Sequence, residues 1–368
     1  MRGVLSRRRT RRKKNPVGAP SLRHNAGKAE IRPDLRMPCI HPTDRIFVAG
    51  HLGLVGSALH RELLSRGYSD IVVRRRSELD LRDDAAVARF YAEAQPTVVF
   101  VAAARVGGIL ANLQRGAEFL HDNLQLQNSV IWGAHQAGVR RLIFLGSSCI
   151  YPRDAAQPMA ETALLTGPLE PSNRAYALAK IAGLELVQTL RQQFGHDYLS
   201  VMPTNLYGPG DNFDPNESHV LPGLIRRIVA AKREQQSEVV VFGSGQPRRE
   251  FLHADDCARA IVDVAERMDA GTLAGSSIGR AGFSHINIGS GDEVSIAEVA
   301  RCIAELVGYA GRLRFDPSKP DGTPRKLLDC TLLRGLGFRP RIALVDGLRQ
   351  TIDWYCQMLD QQSALLRR

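Results

Sequence analysis

A doubly wound α/β sheet is the fold that three features of this chain predict. Short apolar runs, RIFVAG (45–50), VVFVAAA (98–104) and RLIFLG (141–146), alternate with helical periodicity between residues 45 and 208. Such alternation is the texture of a buried parallel sheet with crossover helices. A glycine triplet follows the first run directly. Beyond Gly208 the chain becomes dense in Gly, Pro, Asn and Asp, which predicts a smaller C-terminal domain interleaved with returns to the sheet.

The triplet is Gly50, Gly53 and Gly56, spaced G-x-x-G-x-x-G between a strand and the amphipathic helix Leu54–Arg66. The first glycine permits a tight turn, the second a close approach of backbone to a pyrophosphate, and the third close packing of helix on strand. A pyrophosphate then sits at the helix N-terminus. This is a Rossmann-type dinucleotide site. The next strand, Ile71–Arg74, runs into Arg75, Arg76 and Ser77 with no carboxylate at its end. A carboxylate there would bind ribose hydroxyls, whereas guanidinium groups suit a 2′-phosphate, so NADP is the predicted cofactor. A solvated basic turn is the competing account.

A helix over Asp83–Gln95 leads to the third strand, whose end carries the small Ala102, Ala103 and Ala104 where a ligand can lie close. Helical spacing resumes from Ala117 to His135. The fourth strand delivers Ser147, Ser148 and Cys149, and the following helix carries Tyr176 and Lys180, four residues apart and therefore on one face. A phenol beside an ammonium is an acid–base pair, and the positive charge is expected to lower the tyrosine pKa. Serine, tyrosine and lysine in that order can reduce a ketone with a nicotinamide. A Tyr-x-x-x-Lys spacing alone arises by chance on many helices; the preceding Gly-Ser-Ser strand end and the glycine triplet give it meaning. A fifth strand is predicted over Leu199–Gly208.

After the loop GPGDNFDPNESHVLPG, which carries His219, come a helix with Arg226 and Arg227, the strand VVVFGSG, the segments PRREFLHADD and HINIGS, a helix from Ile296 to Tyr309, and an amphipathic helix over Leu344–Leu359. Arg227, Arg249 and Arg325 are candidates to clamp a diphosphate, although any single surface arginine is more often solvated.

The formal net charge of +11 is concentrated at one end. Residues 1–43 hold twelve Lys or Arg against two acidic residues, so the remaining 325 carry +1. The body therefore gives no sign of a nucleic-acid partner. The run Arg7–Lys14 fits a nuclear or polyanion signal, a transit peptide, a disordered tail, or a start codon placed too early before Met37; the tail accounts best for the composition. No apolar run approaches the ~18 residues of a membrane helix. Six scattered cysteines without a Cys-x-x-Cys point to a reducing compartment, the cytoplasm, and to no metal site. The expected organisation is a basic extension (1–43), an NADP-binding domain (44–215) and a mainly substrate-binding domain (216–368).

In order along the chain, GHLGLVGSA, AAARVGGILAN, LGSSCIYP, QPMAE to AYALAKIAG, SVMPTNLYGPGDNF, SHVLP, REFLHADD and KPDGTPRKLLD resemble the GDP-L-fucose synthase family of extended short-chain dehydrogenase/reductases. The resemblance spans about residues 44–359. It implies conversion of GDP-4-keto-6-deoxy-D-mannose to GDP-L-fucose by epimerisation at C3 and C5, followed by NADPH-dependent reduction of the C4 ketone. It assigns catalysis to Ser147, Cys149, Tyr176, Lys180 and His219, with Cys149 as base and His219 as acid. Thiol and imidazole suit those roles because both titrate near neutrality. Taken alone, a cysteine after a strand is usually inert packing and a loop histidine usually solvated.

The same resemblance implies cofactor contacts at Gly50, His51, Leu52, Gly53, Leu54, Val55 and Gly56. Further ones fall at Arg76, Ser77, Glu78, Leu79, Asp80 and Leu81, then at Leu145, Gly146, Ser147 and Ser148. Lys180, then Pro203, Thr204, Asn205 and Leu206, and His219 complete the set. Substrate contacts fall at Arg227, Phe242, Arg249 and Asp321. Leu52 stands where bacterial members often have arginine, which shifts the 2′-phosphate onto Arg74–Arg76. Phe242 replaces a tryptophan, and Arg174 precedes the catalytic tyrosine where a neutral or acidic residue is usual. Relatives are homodimers. A 4-epimerase or 4,6-dehydratase of the same fold would hold NAD and need the missing acid at the second strand's end. A non-enzymatic NADPH-binding protein would leave the acid–base set without a use.

Overall fold

The computed structural model describes residues 39–319 and 321–366. The basic run at 7–14 and the other readings made for residues 1–38 lie outside the described residues. Ile40, grouped on composition with the extension, is fully buried beside Tyr68.

Twelve strands are present among the described residues: β1 (Ile46–Ala49), β2 (Ile71–Val72), β3 (Val98–Val101), β4 (Arg141–Leu145), β5 (Asp197–Pro203), β6 (Asn205–Tyr207), β7 (Glu238–Phe242), β8 (Arg248–His253), β9 (His285–Ile288), β10 (Glu293–Ser295), β11 (Arg312–Asp316) and β12 (Arg325–Lys326). Six of them form one parallel sheet in the order β2-β1-β3-β4-β5-β9. Strands β1, β3 and β4 are buried at every position, which is why they read as unbroken apolar runs rather than alternating ones. The order reverses between β1 and β3, and such a switch point is where a dinucleotide lies in an open parallel sheet.

Helices cover both faces. Those of the first part are α1 (Leu54–Ser65), α2 (Asp84–Ala94), α3 (Ile109–Gln114), α4 (Gly116–Gln136) and α5 (Arg174–Phe194). The remainder are α6 (Val220–Arg233), α7 (Ala254–Arg267), the short α8 (Ala270–Gly275), α9 (Ser277–Arg280), α10 (Ile296–Val307), the short α11 (Thr331–Gly335) and α12 (Leu344–Leu366). One core joins α1 and α7 to the sheet through Leu59, Leu63, Ile261 and Val264; the other joins α2, α4 and α5 through Phe90, Ile131 and Val187. Each such fully buried aliphatic side chain stabilises the fold by roughly 1.5–3 kcal/mol. A third cluster, built on Leu224, Ile228, Val299, Ile303 and Ile352, packs α6, α10 and α12 against β7. Arg141 is fully buried; its terminal nitrogens donate to Asp197 and, at 2.7 Å, to the Met268 carbonyl, while its Nε has no hydrogen-bond partner.

The predicted elements recur with differences that have local causes. The second strand is only Ile71–Val72, its ladder ending at the Phe47–Val72 pair; beyond it the Arg74 guanidinium lies over the Phe90 ring at 5.4 Å. The predicted fifth strand is two. After Pro203, which has no N–H to donate, Thr204 bonds back to Ile288 and the chain crosses to pair with β8 as β6. HINIGS returns to the main sheet as β9. The final helix runs seven residues past the predicted Leu359.

Candidate functional site

The glycine turn is built as its spacing requires. Gly50 has φ +90°, and a Cβ there would lie 2.7 Å from Ala103, so both backbone twist and close approach demand glycine. A Cβ on Gly56 would overlap the Gly50 carbonyl. At Gly53 a Cβ would meet only the Gly50 oxygen at 3.5 Å, which leaves room outside the turn. No side chain caps α1, so its first N–H groups face outward, ready for an anion. Nearby, His51 has a buried Nδ1 without a partner, and Arg75 lies close enough to help lower its pKa beneath the larger effect of desolvation. An outward helix start, an unpaired ring nitrogen and guanidinium groups suit a dinucleotide phosphate. Leu52 is exposed and adds nothing polar.

In the following segment, Arg75 N donates to Glu78 at 2.6 Å, Leu79 is buried, and Asp80 is bound by Arg82 at 2.7 Å. The Arg82 hydrogen bonds hold Asp80 down to about 2. Asp80 is thus engaged within its own loop. Pro203, Thr204, Asn205 and Leu206 form the crossing from β5 to β6, where the Asn205 amide donates to the Glu250 carbonyl at 2.8 Å.

The end of β4 and the start of α5 meet directly. Ser147 Oγ accepts the Cys149 N–H at 3.2 Å, and its hydroxyl bonds the Tyr176 phenol. Lys180 is buried; its ammonium donates to the Leu145 carbonyl at 2.9 Å and lies 4.8 Å from the Phe144 ring centroid. The expected lowering of the tyrosine pKa is corrected here. Burial pushes Tyr176 up, the nearby Cys149 adds to the rise, and only the Ser147 hydrogen bond opposes it. Desolvation also brings Lys180 down to about 7. Both shifts share one cause: a low-dielectric interior disfavours phenolate and ammonium alike. The phenol therefore stays protonated at neutral pH.

Cys149 stands at the junction of several segments. Its sulfur accepts from Asn173 Nδ2 at 3.3 Å and from Lys326 Nζ at 3.5 Å, and it interacts electrostatically with Arg249. His219, at the end of the loop after Gly208, is the N-cap residue of α6. It is accessible to solvent yet surrounded by protein, and desolvation first, then the Lys326 charge, lower its pKa. The loop is tied down through Glu217, whose carboxylate meets Arg115 at 2.7 Å and whose carbonyl accepts the Gly108 N–H at 2.8 Å. Cys149 and His219 thus share Lys326 as a neighbour.

Of the substrate candidates, Arg227 stacks over the exposed Phe242 ring at 4.7 Å, with its guanidinium fixed by the Val240 carbonyl at 2.8 Å. Burial lowers the Arg249 pKa, and Asp321 opposes that shift. The Asp321 carboxylate accepts the Ser244 N–H and hydroxyl, both at 2.7 Å, which fixes the turn after Phe242. Arg325 pairs with Glu293 at 2.8 Å and leaves the predicted clamp. Asn173 and Lys326 escaped the sequence reading. Their only signal was membership of motifs whose other residues drew attention.

This fold and the acid–base set at the carboxyl ends of its strands define a dinucleotide-dependent enzyme of nucleotide-sugar type. The chain belongs to the NAD dependent epimerase/dehydratase family, which matches residues 46–289. Within it, the chain is similar to the putative GDP-L-fucose synthase 2 of Arabidopsis thaliana, with 52% identity over 86% of this chain and 93% of the relative. It is 50% identical to the GDP-L-fucose synthase of Escherichia coli K12 over 86% of this chain and 98% of the relative. Among solved structures, an NADP-bound GDP-L-fucose synthetase from Naegleria fowleri superposes with a TM-score of 0.78 at 28% identity, covering 88% of this chain and 98% of that one. A GDP-6-OMe-4-keto-L-xylo-heptose reductase from C. jejuni gives 0.82 at 34% identity, covering 87% and 99%.

Proposed function

We propose that this chain converts GDP-4-keto-6-deoxy-D-mannose to GDP-L-fucose, inverting C3 and C5 before an NADPH-dependent reduction at C4. The observation that carries this reading is the grouping of Cys149 with Ser147, Tyr176 and Lys180, joined to His219 through Lys326. A plain ketone reductase has no use for the thiol and imidazole. The names borne by the relatives support the same substrate. The order of domains, 44–215 for cofactor and 216–368 mainly for substrate, belongs to this proposal.

The C4 ketone makes hydrogens on C3 and C5 acidic. Cys149 as thiolate removes one, and charge flows onto O4, where the Ser147 and Tyr176 hydroxyls stabilise it. His219 returns a proton from the opposite face and inverts the centre. Bound NADPH supplies the hydride for C4. Tyr176 gives O4 its proton, and Lys180 orients the cofactor ribose. Gly50–Gly56 and the α1 N-terminus would hold the pyrophosphate, Arg74–Arg76 the 2′-phosphate, and Arg227, Phe242 and Arg249 the GDP moiety.

A homodimer is supported by the exposed Trp132, Leu178 and Phe194 on adjoining α4 and α5; light scattering at twice the chain mass checks it. No helix among the described residues is long and apolar enough to cross a membrane. Six unpaired cysteines support a cytoplasmic setting. The deciding experiment supplies GDP-4-keto-6-deoxy-mannose and NADPH and follows absorbance and product stereochemistry by NMR. Doubly inverted GDP-L-fucose is expected; an uninverted 6-deoxy sugar would reduce the enzyme to a C4 reductase.

A further inference from the structure

The KPDGTPRKLLD segment places two basic side chains on β12, and they part company. Arg325 ends at Glu293, whereas Lys326 ends with its ammonium 3.5 Å from the Cys149 sulfur. No carboxylate pairs with Lys326 in any described ion pair. Asn173 supplies a second, neutral donor to the same sulfur at 3.3 Å. The position is fixed by the ladder, in which Lys326 stands opposite Arg249 on β8.

We propose that Lys326 is a positioning residue for both inversions, its ammonium pairing with the Cys149 sulfur so that the base is held as a thiolate and aimed. This rests on the assignment of Cys149 as base made above. Thiolate, not thiol, takes a proton from carbon, and an ammonium in contact with sulfur stabilises the negative form while Asn173 fixes its direction. Lysine suits the task because its charge is compact. The same charge acts on His219 and favours release of the imidazolium proton.

Two inversions at one pair of groups impose a further demand. The first moves a proton from carbon to Sγ and another from His219 to the same carbon on the opposite face. Before the second, the sulfur must release its proton to solvent and the imidazole must regain one. A cation at the sulfur drives that release, so its loss is felt twice.

The test uses full-length Lys326→Met and Lys326→Arg beside Cys149→Ser. Iodoacetamide labelling of Cys149 at pH 7, followed by peptide mass spectrometry, reads the sulfur without substrate. Deuterium incorporation at C3 and C5 and the stereochemistry of the reduced product read the chemistry, and NADPH affinity monitors the fold. Lys326→Met is expected to slow labelling at least fivefold and exchange at least tenfold. NADPH affinity should hold, and reduced sugar with fewer than two inversions should accumulate. Lys326→Arg should recover most of the labelling rate. Unchanged labelling and exchange in Lys326→Met, with exchange lost in Cys149→Ser, overturns the proposal alone. Normal exchange in Cys149→Ser overturns the assignment of the base, and the proposal with it.

Discussion

Ser147, Tyr176 and Lys180 come from one strand end and the helix packed on it, whereas Cys149 and His219 acquire their setting from segments far apart in the chain. The first group is held by near neighbours: Lys180 bonds Leu145, and Ser147 bonds Tyr176. The second depends on Asn173 from the start of α5, Lys326 from β12 and the loop clamp of Arg115 on Glu217. Burial dominates the first, raising Tyr176 and lowering Lys180. In the second, burial again comes first at His219, and the Lys326 charge from a distant strand adds to it. Under the proposed function, the group that places one proton donor beside a ketone can be rigid and local, whereas the group that removes and returns protons on two faces must draw on several walls.

If the halves are separable, Tyr176→Phe should cut C4 reduction by about 10²–10⁴-fold, the usual worth of a general acid, while exchange at C3 and C5 falls much less. NADPH oxidation and NMR exchange on one preparation decide it, and equal losses would merge the halves. Cys149→Ser should show the reverse, with exchange reduced about 10²-fold and NADPH affinity unchanged by fluorescence titration.

Lys180 offers a pH test. Its pKa of about 7 lies below that of an ordinary lysine, so the ammonium is lost as pH rises through that value. kcat/KM for reduction should therefore decline above pH 7, approaching tenfold per unit. A flat profile to pH 9 would show that the ammonium is retained. Phe242→Ala removes the surface under Arg227 and should raise the KM for GDP-sugar about five- to tenfold, as expected for roughly 1 kcal/mol of cation–π and stacking contact. kcat should be unchanged.

The smallest effect concerns the connection between Cys149 and α5. Glu161, within it, is buried, and burial raises its carboxyl from 4.5 to about 7. The penalty for ionisation is absent below the unfolded value, grows between 4.5 and about 7, and is constant above. Glu161→Gln keeps an oxygen for the Asn287 N–H. It should add about 1–2 kcal/mol at pH 8 and little at pH 4, read from denaturant midpoints.

Much of the fold was legible because its causes are local. The burial of β1, β3 and β4 on both faces appears as apolar runs, and Asp83 marks the start of α2 by accepting the Ala86 N–H. Other elements were hidden. Helix α7 is buried along most of its length and lies inside a segment that draws the eye for its acids. The break between β5 and β6 follows from pairing with β8, a partner some 45 residues away.

The sequence alone determined the glycine turn, the alternation that builds the sheet, and the four-residue spacing of Tyr176 and Lys180, since each depends on backbone geometry over a few residues. Tertiary structure alone decided that Arg325 would be drawn off to Glu293, that Lys326 would reach a sulfur 177 positions away, and that Tyr176 would be held protonated. Those outcomes depend on which groups share a low-dielectric interior. Solvation and charge act through space rather than along the chain.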